Sequence, residues 1–491
     1  MSLISGIMND KGRASARSGL GAVMGSKKLK AVAVSGSLKV EVADRGLLKE
    51  TNEEIRKIFI QKPTKIQMFI EKLMTPLLPL FVKLKVKLPS PETPAMAHLF
   101  KTYGTTGILS FASVTQDAGI KNWKGASSVD FPRKKSLKIS DDNIIKYNTK
   151  RISCGSCTIG CGAAQALDHP EYGIEKGHKP EYEALSAFGS LTLVDHTEAV
   201  IYANHLCNIY GLDVISAGAT IAFAMECFEN GIITKEDTGG IDLSWGNHKE
   251  MIDVLKKMAM REGFGDVLAD GVKIAAEKIG KGSEQYAIHV GGQEVPMHDP
   301  RNAPGFGTTY TVDPTPARHT QGGTGFYDLG FLNPATFADY QVPTKTDKYD
   351  YETKAKLQVL DSHYHHACNV FGLCTFPPFI DPKFPIVDLI NRATGLGIDL
   401  DGFLEIGERA NTIRQCFNVR EGFKPSDFKL PKRLQGDPPL KKGALKGVTI
   451  DIDTLKKRYF EYMDWDIEKG LPSRKKIEAL GLDKLVGDLY T

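Results

Sequence analysis

The 491-residue chain carries 63 basic and 59 acidic side chains, a net charge of +4 that is too small to argue for nucleic acid or an anionic membrane surface. Its length exceeds one ordinary core, so two or three domains are expected, and 41% hydrophobic residues are ordinary for a globular protein. Eight cysteines are too sparse for a disulfide scaffold, and three of them crowd into one loop, which points to metal binding in a reducing, cytoplasmic compartment.

Met1 to Lys11 has neither the basic start nor the apolar run of a signal peptide. Gly12 to Gly36 is a glycine-rich basic loop leading into a β-prone run, Leu29 to Val34. Gly19-Leu20-Gly21 does not complete a dinucleotide fingerprint, so a Rossmann unit is not expected. Arg13, Arg17, Lys27 and Lys28 among flexible glycines suit a phosphate-bearing ligand, or else form a solvated basic turn. One strand cannot fold alone, so this end either docks on something else or lacks its natural beginning. Residues 41–75 read as helix and 76–125 as irregular, proline-broken structure. Leu73 to Val82 is apolar but interrupted by Pro76 and Pro79; a spanning helix needs ~20 apolar residues, so a buried loop or a partner-facing patch is expected.

Ser153-Cys154-Gly155-Ser156-Cys157-Thr158-Ile159-Gly160-Cys161 then places three thiols in a Cys-x2-Cys-x3-Cys loop. Thiolates are the soft ligands that zinc and iron–sulfur clusters select, and the intervening glycines let backbone N–H groups turn inward. Three ligands are not four, so a distant partner is required. Beyond the loop, Pro180 to Leu185 opens a helix with carboxylates in its first turn, where the dipole favours them. Asp195-His196-Thr197-Glu198 reads as a capping box, followed by helices ending at Gly211 and Gly231. Asn247 to Glu262 and Asp266 to Ile279 read as two more. From Tyr286 the chain turns to Gly/Pro/Thr-rich loops bearing His298-Asp299-Pro300-Arg301 and Arg318-His319-Thr320, the kind of loops that carry chemistry. Lys354 to Ala367 is helical and leads to Cys368 and Cys374. Cys207, Cys227 and Cys416 lie on apolar helical faces and read as small core residues.

Residues 12–36, Cys154–Cys161, Pro180–Glu183, Ile215–Gly231, His298–Arg301 and Phe371–Phe376 together resemble the tungsten-dependent aldehyde:ferredoxin oxidoreductase family. The likeness covers almost the whole chain, in order. It implies a mainly α multidomain fold: residues 1–36 as a short remnant of an N-terminal β domain that binds pterin, residues 37–290 as a helical domain holding three cluster cysteines, and residues 291–491 as a second helical domain holding the fourth. Most of that β domain is absent at the front.

The resemblance implies a [4Fe–4S] cluster on Cys154, Cys157, Cys161 and Cys374, with Cys368 as the competing fourth ligand. It implies a tungsten or molybdenum bis-pterin held by two Asp-x-x-Gly-Leu elements. These match Asn208, Gly211, Leu212 and Asp213, and Asn369, Gly372 and Leu373; both begin with Asn, which accepts a hydrogen bond but brings no charge. Arg17 is placed beside the same cofactor. Glu183, with Glu181 as runner-up, and His319 match the family's catalytic pair, a carboxylate that takes a proton and a histidine that polarises a carbonyl. The family's interfacial Glu-x-x-His metal site has Tyr202 in place of Glu before His205, so no interfacial metal is expected.

The expected activity is oxidation of an aldehyde to a carboxylate, with ferredoxin or another low-potential carrier as electron partner. A homo-oligomer or larger complex and a separate pterin-domain chain are further expectations; a transmembrane or nucleic-acid role is not. Asn122-Trp123-Lys124-Gly125 and the paired Asn residues look somewhat like the benzoyl-CoA reductase branch, so an acyl-CoA substrate is the alternative. A non-catalytic [4Fe–4S] electron-transfer subunit and a single zinc on the thiols are the remaining rivals.

Overall fold

Apolar residues recur at helical spacing through most of the chain, and the resulting fold is mainly helical with three small antiparallel sheets. The computed structural model describes residues 1–9, 12–84, 92–330, 334–342 and 347–490. β1 (Ile7–Asn9) and β2 (Arg13–Ser15) form a hairpin near the start of the chain. The expected strand over Leu29 to Val34 does not form. Residues 29–42 have no regular structure, and Val34 and Leu38 are 91% and 96% exposed. Strand propensity is realised only against a ladder partner, and this run has none.

The expected helix over 41–75 is two helices, Arg45–Ile60 and Lys65–Met74, because Pro63 disfavours the α region before it. The stretch expected to be irregular holds helices Thr93–Thr102 and Leu109–Thr115. Pro94 misleads here: it sits in a first turn, where its missing N–H has no partner to lose. Leu73, Leu77 and Leu80 lie on or between the two helices Lys65–Met74 and Leu78–Lys83 and are exposed, which excludes the buried-loop reading. Among the described residues no helix is long and apolar enough to cross a membrane.

Lys121, Asn122 and Trp123 are three successive residues at positive φ, with Trp123 buried. Such backbone costs on the order of 1–3 kcal/mol per residue unless its surroundings fix it. Here the Lys121 and Asn122 amides donate to the Ser190 and Leu191 carbonyls, and Arg301 donates to the Trp123 carbonyl. Asn122 Nδ2 donates to Glu226 Oε2 at 2.6 Å, and Arg433 clasps the same buried carboxylate in bidentate fashion at 2.7 and 2.9 Å. This motif therefore ties the middle helices to the chain's later part.

β3 (Asn148–Ile152), β4 (Gly162–Leu167) and β5 (Ile174–His178) form one antiparallel sheet, and the cysteine loop is the β3–β4 connection. Helix Thr197–Tyr210 is capped by the His196 ring, which accepts from the Ala199 amide, instead of by the expected Asp195–Glu198 box. Helix Val214–Glu229 is buried along nearly its whole length, and a Cβ at Gly218 would meet the Ala187 carbonyl group at 2.8 Å. Later, Tyr351–Val370 packs beside Leu400–Arg420 so closely that a Cβ on Gly407 would lie 1.8 Å from the His363 carbonyl oxygen.

The largest core joins Phe188 and Phe223 to Phe306, Tyr310, Leu434 and Ile452, so it crosses residue 290. A second core gathers Phe337, Tyr364, Cys368 and Phe403. A third joins Phe59, Phe100 and Ile159 to Ile380 and backs the cysteine loop, with Cys157 and Cys161 packed against it. Cys207, Cys227 and Cys416 are buried, as small core residues are.

Candidate active site

The β3–β4 loop turns inside nine residues because Ser156 and Gly160 take positive φ. Gly104 is a second place where only glycine fits, since a Cβ there would stand 2.4 Å from the Cys161 carbonyl oxygen. The Gly160 amide points at Cys157 Sγ, 3.5 Å away. Arg151 Nε donates to the Gly160 carbonyl at 2.8 Å and braces the loop from behind.

Cys374 lies within electrostatic reach of Cys154, Cys157 and Cys161, while Cys368, in the second core, senses Cys374 alone of these thiols. Arg13 stands against the same group and hydrogen-bonds the Cys161 side chain. Partial burial pushes the Cys161 thiol up to about 11, so without a cationic ligand it stays protonated. Around one zinc, with Zn–S near 2.3 Å, tetrahedral sulfurs stand roughly 3.8 Å apart. Among the described residues, no three of these thiols come within 4.8 Å of one another. Soft thiolate donors of this kind suit an iron–sulfur cluster or zinc.

From the cysteine loop the chain runs along β4 and β5 into Glu181 and Glu183. Glu183 sits in the short helix Tyr182–Leu185, which passes into a π-helical turn, Ser186–Ser190. π turns recur at functional sites because they re-aim neighbouring side chains. Glu183 Oε2 accepts from the Met297 amide at 2.9 Å, while Oε1 has no hydrogen-bond partner. That free oxygen faces His319 Nε2 at 3.5 Å and His298 Nε2 at 3.7 Å. Donor atoms of the three side chains lie within 4.8 Å of one another, the one such group of three among the described residues.

Their charge states diverge. Burial raises the Glu183 carboxyl above the usual carboxylate range, partly opposed by His298. Burial holds His319 well below the ordinary imidazole value, and His298, Arg17 and Arg318 push the same way. His298 goes up instead: burial lowers it, but the Asp117 carboxylate, 2.7 Å from Nδ1, more than offsets that. Adjacent groups with opposed shifts are a signature of acid–base chemistry.

Two cavities meet at Glu183 and His319. The first, of about 300 Å³, is walled by Phe100, Phe326, Phe337, Phe376 and Phe379 and reaches Cys374 and His298. Its rings interlock, with Phe100–Phe376 centroids 4.9 Å apart and Phe326–Phe379 at 5.2 Å. The second, of about 260 Å³, is lined by small residues together with Arg17, Asn208, Leu212, Asp213 and Arg318. Arg17 is held by the Glu294 carbonyl and lies 3.5 Å from Asp213. Its Nε and Nη1, and Arg318 Nε, are buried without hydrogen-bond partners. Buried guanidinium groups with free donors fit an anionic ligand such as a phosphate-bearing pterin.

The sequence-derived residues thus divide. Asn208, Leu212, Asp213 and Arg17 share the second cavity with Glu183 and His319, and Gly211 ends the Asn208 helix in the left-handed conformation. Asp213 also caps helix Val214–Glu229, accepting from the Ile215 amide at 3.1 Å. Asn369, Gly372 and Leu373 line neither cavity; Asn369 is exposed and donates to Gln321 Oε1 at 3.0 Å. The second pterin element is therefore not gathered with the first. Glu181, the runner-up carboxylate, lines both cavities but is engaged by Thr105 and Arg13. Sequence reasoning marked His298 only as part of a loop motif and missed Asp117. Nothing local distinguishes that aspartate, since its partner is 181 positions away.

Residues 84–482 match the family model for domains 2 and 3 of aldehyde ferredoxin oxidoreductase, and residues 1–36 match that of its N-terminal domain. The tungsten-containing aldehyde ferredoxin oxidoreductase of Pyrococcus horikoshii is 31% identical over 98% of this chain and 71% of its own. That of Pyrococcus furiosus is 32% identical over 97% of this chain and 70% of its own. The WOR-like subunit of an aliphatic sulfonate oxidoreductase from the same organism is 27% identical over 97% and 67%. Among solved structures, the active-site complex of benzoyl coenzyme A reductase with 1,5-dienoyl-CoA superposes with a TM-score of 0.69, covering 99% of this chain and 72% of that one at 20% identity, a likeness of fold. On the family models and on these relatives, the chain belongs to the aldehyde ferredoxin oxidoreductase family.

Proposed function

We propose that the chain oxidises an aldehyde to a carboxylate at Glu183 and His319, and that the electrons leave through a [4Fe–4S] cluster on Cys154, Cys157, Cys161 and Cys374 toward ferredoxin or a similar carrier. The observation that carries this reading is the placement of Glu183 and His319 where two cavities meet, one aromatic and one lined by guanidinium groups with donors left free, with Cys374 on the aromatic wall. Arg17, Arg318, Asn208 and Asp213 would hold the pterin. Bound there, a tungsten or molybdenum pterin would supply a two-electron acceptor, and a cluster on the four thiols a one-electron path outward.

The conversion takes RCHO and water to RCOO⁻, three protons and two electrons. Glu183, its carboxyl raised by burial, is suited to accept one of those protons near neutral pH. Neutral His319, whose Nδ1 is buried without a hydrogen-bond partner, can donate from that nitrogen to a carbonyl oxygen without bringing a charge that competes for the electrons. The phenylalanine wall excludes water from the rest of the cavity and favours an apolar or aromatic substituent R. Domain limits of 37–290 and 291–491 place the cluster ligands on both sides of the division, so a bound cluster would fasten the two helical parts together.

Protein produced with tungstate is expected to contain about four irons and one tungsten per chain and to reduce a viologen dye with benzaldehyde. Dye reduction with none of a panel of aromatic and aliphatic aldehydes would overturn the proposal. The aromatic cavity also suits a benzene ring, which gives benzoyl-CoA as the second substrate to assay. Iron without tungsten would favour the electron-transfer subunit.

A further inference from the structure

His298 belongs to no role assigned so far, yet it is one of the most completely supported side chains in the molecule. Its ring lies between Tyr182 and Phe306, with centroids 4.9 and 4.7 Å away, and its Nδ1 is 2.7 Å from Asp117 Oδ2. Both partners of that pair are almost completely buried. Tyr310 donates to the His298 carbonyl at 3.1 Å and Tyr182 to the Met297 carbonyl at 2.6 Å, so the backbone is pinned as well.

With Nδ1 committed to Asp117, only Nε2 remains, and it points at the free oxygen of Glu183. The separations from Glu183 Oε1, 3.7 Å to His298 and 3.5 Å to His319, are too long for direct hydrogen bonds. They are the right size for one shared oxygen atom. A point about 2.8 Å from each of three atoms spaced this way exists roughly 1.5–2 Å to one side of their plane, and a buried water needs two to four such polar partners.

We propose that Asp117 and His298 are a positioning dyad that holds one water molecule against Glu183 and His319. In that arrangement His298 Nε2–H donates to the water. The water donates one O–H to Glu183 Oε1 and the other to His319 Nε2, which leaves one lone pair free to face the aldehyde carbon. Asp117 acts through His298: it fixes the ring and favours its charged form, in which Nε2 is a donor. This extends the aldehyde reading above and rests on it only for the identity of the carbonyl compound.

The groups that face His298 are Asp117, Glu183, His319, Tyr182 and Tyr310, with Asp299, Asp213, Arg17 and Arg318 in the next layer. Both tyrosines are buried and stay neutral through the working range, which leaves the carboxylates and imidazoles to set the balance. The direction of the His298 shift agrees with the geometry.

The test uses the full chain labelled with ¹⁵N-histidine, where 12 imidazoles report. The His298 signal, identified by its loss in His298→Gln, is expected to stay doubly protonated to higher pH than that of an exposed histidine, and to lose that upward displacement in Asp117→Asn, an isosteric change. A His298 signal that titrates like an exposed histidine, or that ignores Asp117→Asn, overturns the dyad. In steady-state assays Asp117→Asn is expected to lower kcat by ~10²-fold, with the aldehyde KM within ~3-fold of the parent. Equal kcat and an unshifted pH profile would also overturn it. If no aldehyde turns over while the His298 signal behaves as stated, the dyad stands and the aldehyde reading falls.

Discussion

Cys374 joins the thiol group to the cavity of the acid–base group, but the two groups are assembled in opposite ways. Three thiols come from nine residues of one loop, Cys154 and Cys374 are exposed, and their spacing is set by local turns. Asp117, Glu183, His298 and His319 come from four separate segments, and each is defined by what surrounds it: a carboxylate raised by burial, one imidazole lowered by burial, another raised by an aspartate. In the proposed reading, the thiol corner would take its charge from a bound metal. The acid–base corner carries its own charges and has been desolvated to tune them.

The contrast can be broken most sharply at Cys374. Cys374→Ser is expected to abolish most of the cluster's visible absorbance, since a hard hydroxyl replaces a soft thiolate. Cys368→Ser is expected to leave the absorbance intact, because Cys368 is buried in the core beside Tyr364. The reverse result would move the ligand assignment. Glu183→Gln should spare iron content and cost ~10³-fold in kcat/KM, about 4 kcal/mol, in the viologen assay. Loss of iron in that variant would mean that the two corners are not independent.

A third experiment compares two buried histidines. His298 has a carboxylate against its ring, whereas His363 Nε2 faces Met463 Sδ at 3.2 Å, and burial lowers it to about 4. A histidine with a depressed folded pKa contributes stability above its unfolded value, near 6.5, and loses it as pH falls through the folded value. Urea unfolding should therefore show up to roughly 3 kcal/mol lost between pH 6.5 and 4, and His363→Gln should flatten that slope. The smallest effect is expected in the aromatic wall. Phe379→Ala, removing a ring 5.2 Å from Phe326, should reduce the preference for benzaldehyde over acetaldehyde by ~10-fold, in line with the 1–3 kcal/mol that a hydrophobic pocket can discriminate.

What could be read from the sequence follows the same division. The thiol loop stood out because Cys154, Cys157 and Cys161 carry soft donor atoms and are neighbours by chain. Helix Val214–Glu229 was legible because its small apolar residues and terminal Gly231 speak for themselves. Leu29 to Val34 was misread because strand propensity says nothing about whether a partner strand exists. Residues 93–102 were misread because a proline in a first turn looks, in sequence, like a proline that breaks a helix. Glu183 and His319 were reached through family resemblance, as no spacing rule relates two residues brought together across 136 positions of intervening fold. Asp117 left no trace, since its meaning lies in a 2.7 Å contact to His298 that only tertiary structure supplies.

The clasp between Glu226 and Arg433 has a bearing on how the molecule is made. The two residues are 207 positions apart, and the carboxylate is synthesised first. At about 5–20 residues per second, it waits roughly 10–40 s on the ribosome for its arginine. During that interval Lys124, 3.3 Å away in the finished fold, is the cation at hand, and Asn122 the neutral donor. The middle helices can therefore collapse around a provisional partner, but they lock only when the last sixth of the chain has emerged. Premature termination upstream of residue 433 would leave the Glu226 carboxylate without its bidentate partner and the largest core without Leu434 and Ile452. Such a fragment is expected to hold its secondary structure, fail to lock, and be drawn off by chaperones and proteases before any cofactor is inserted.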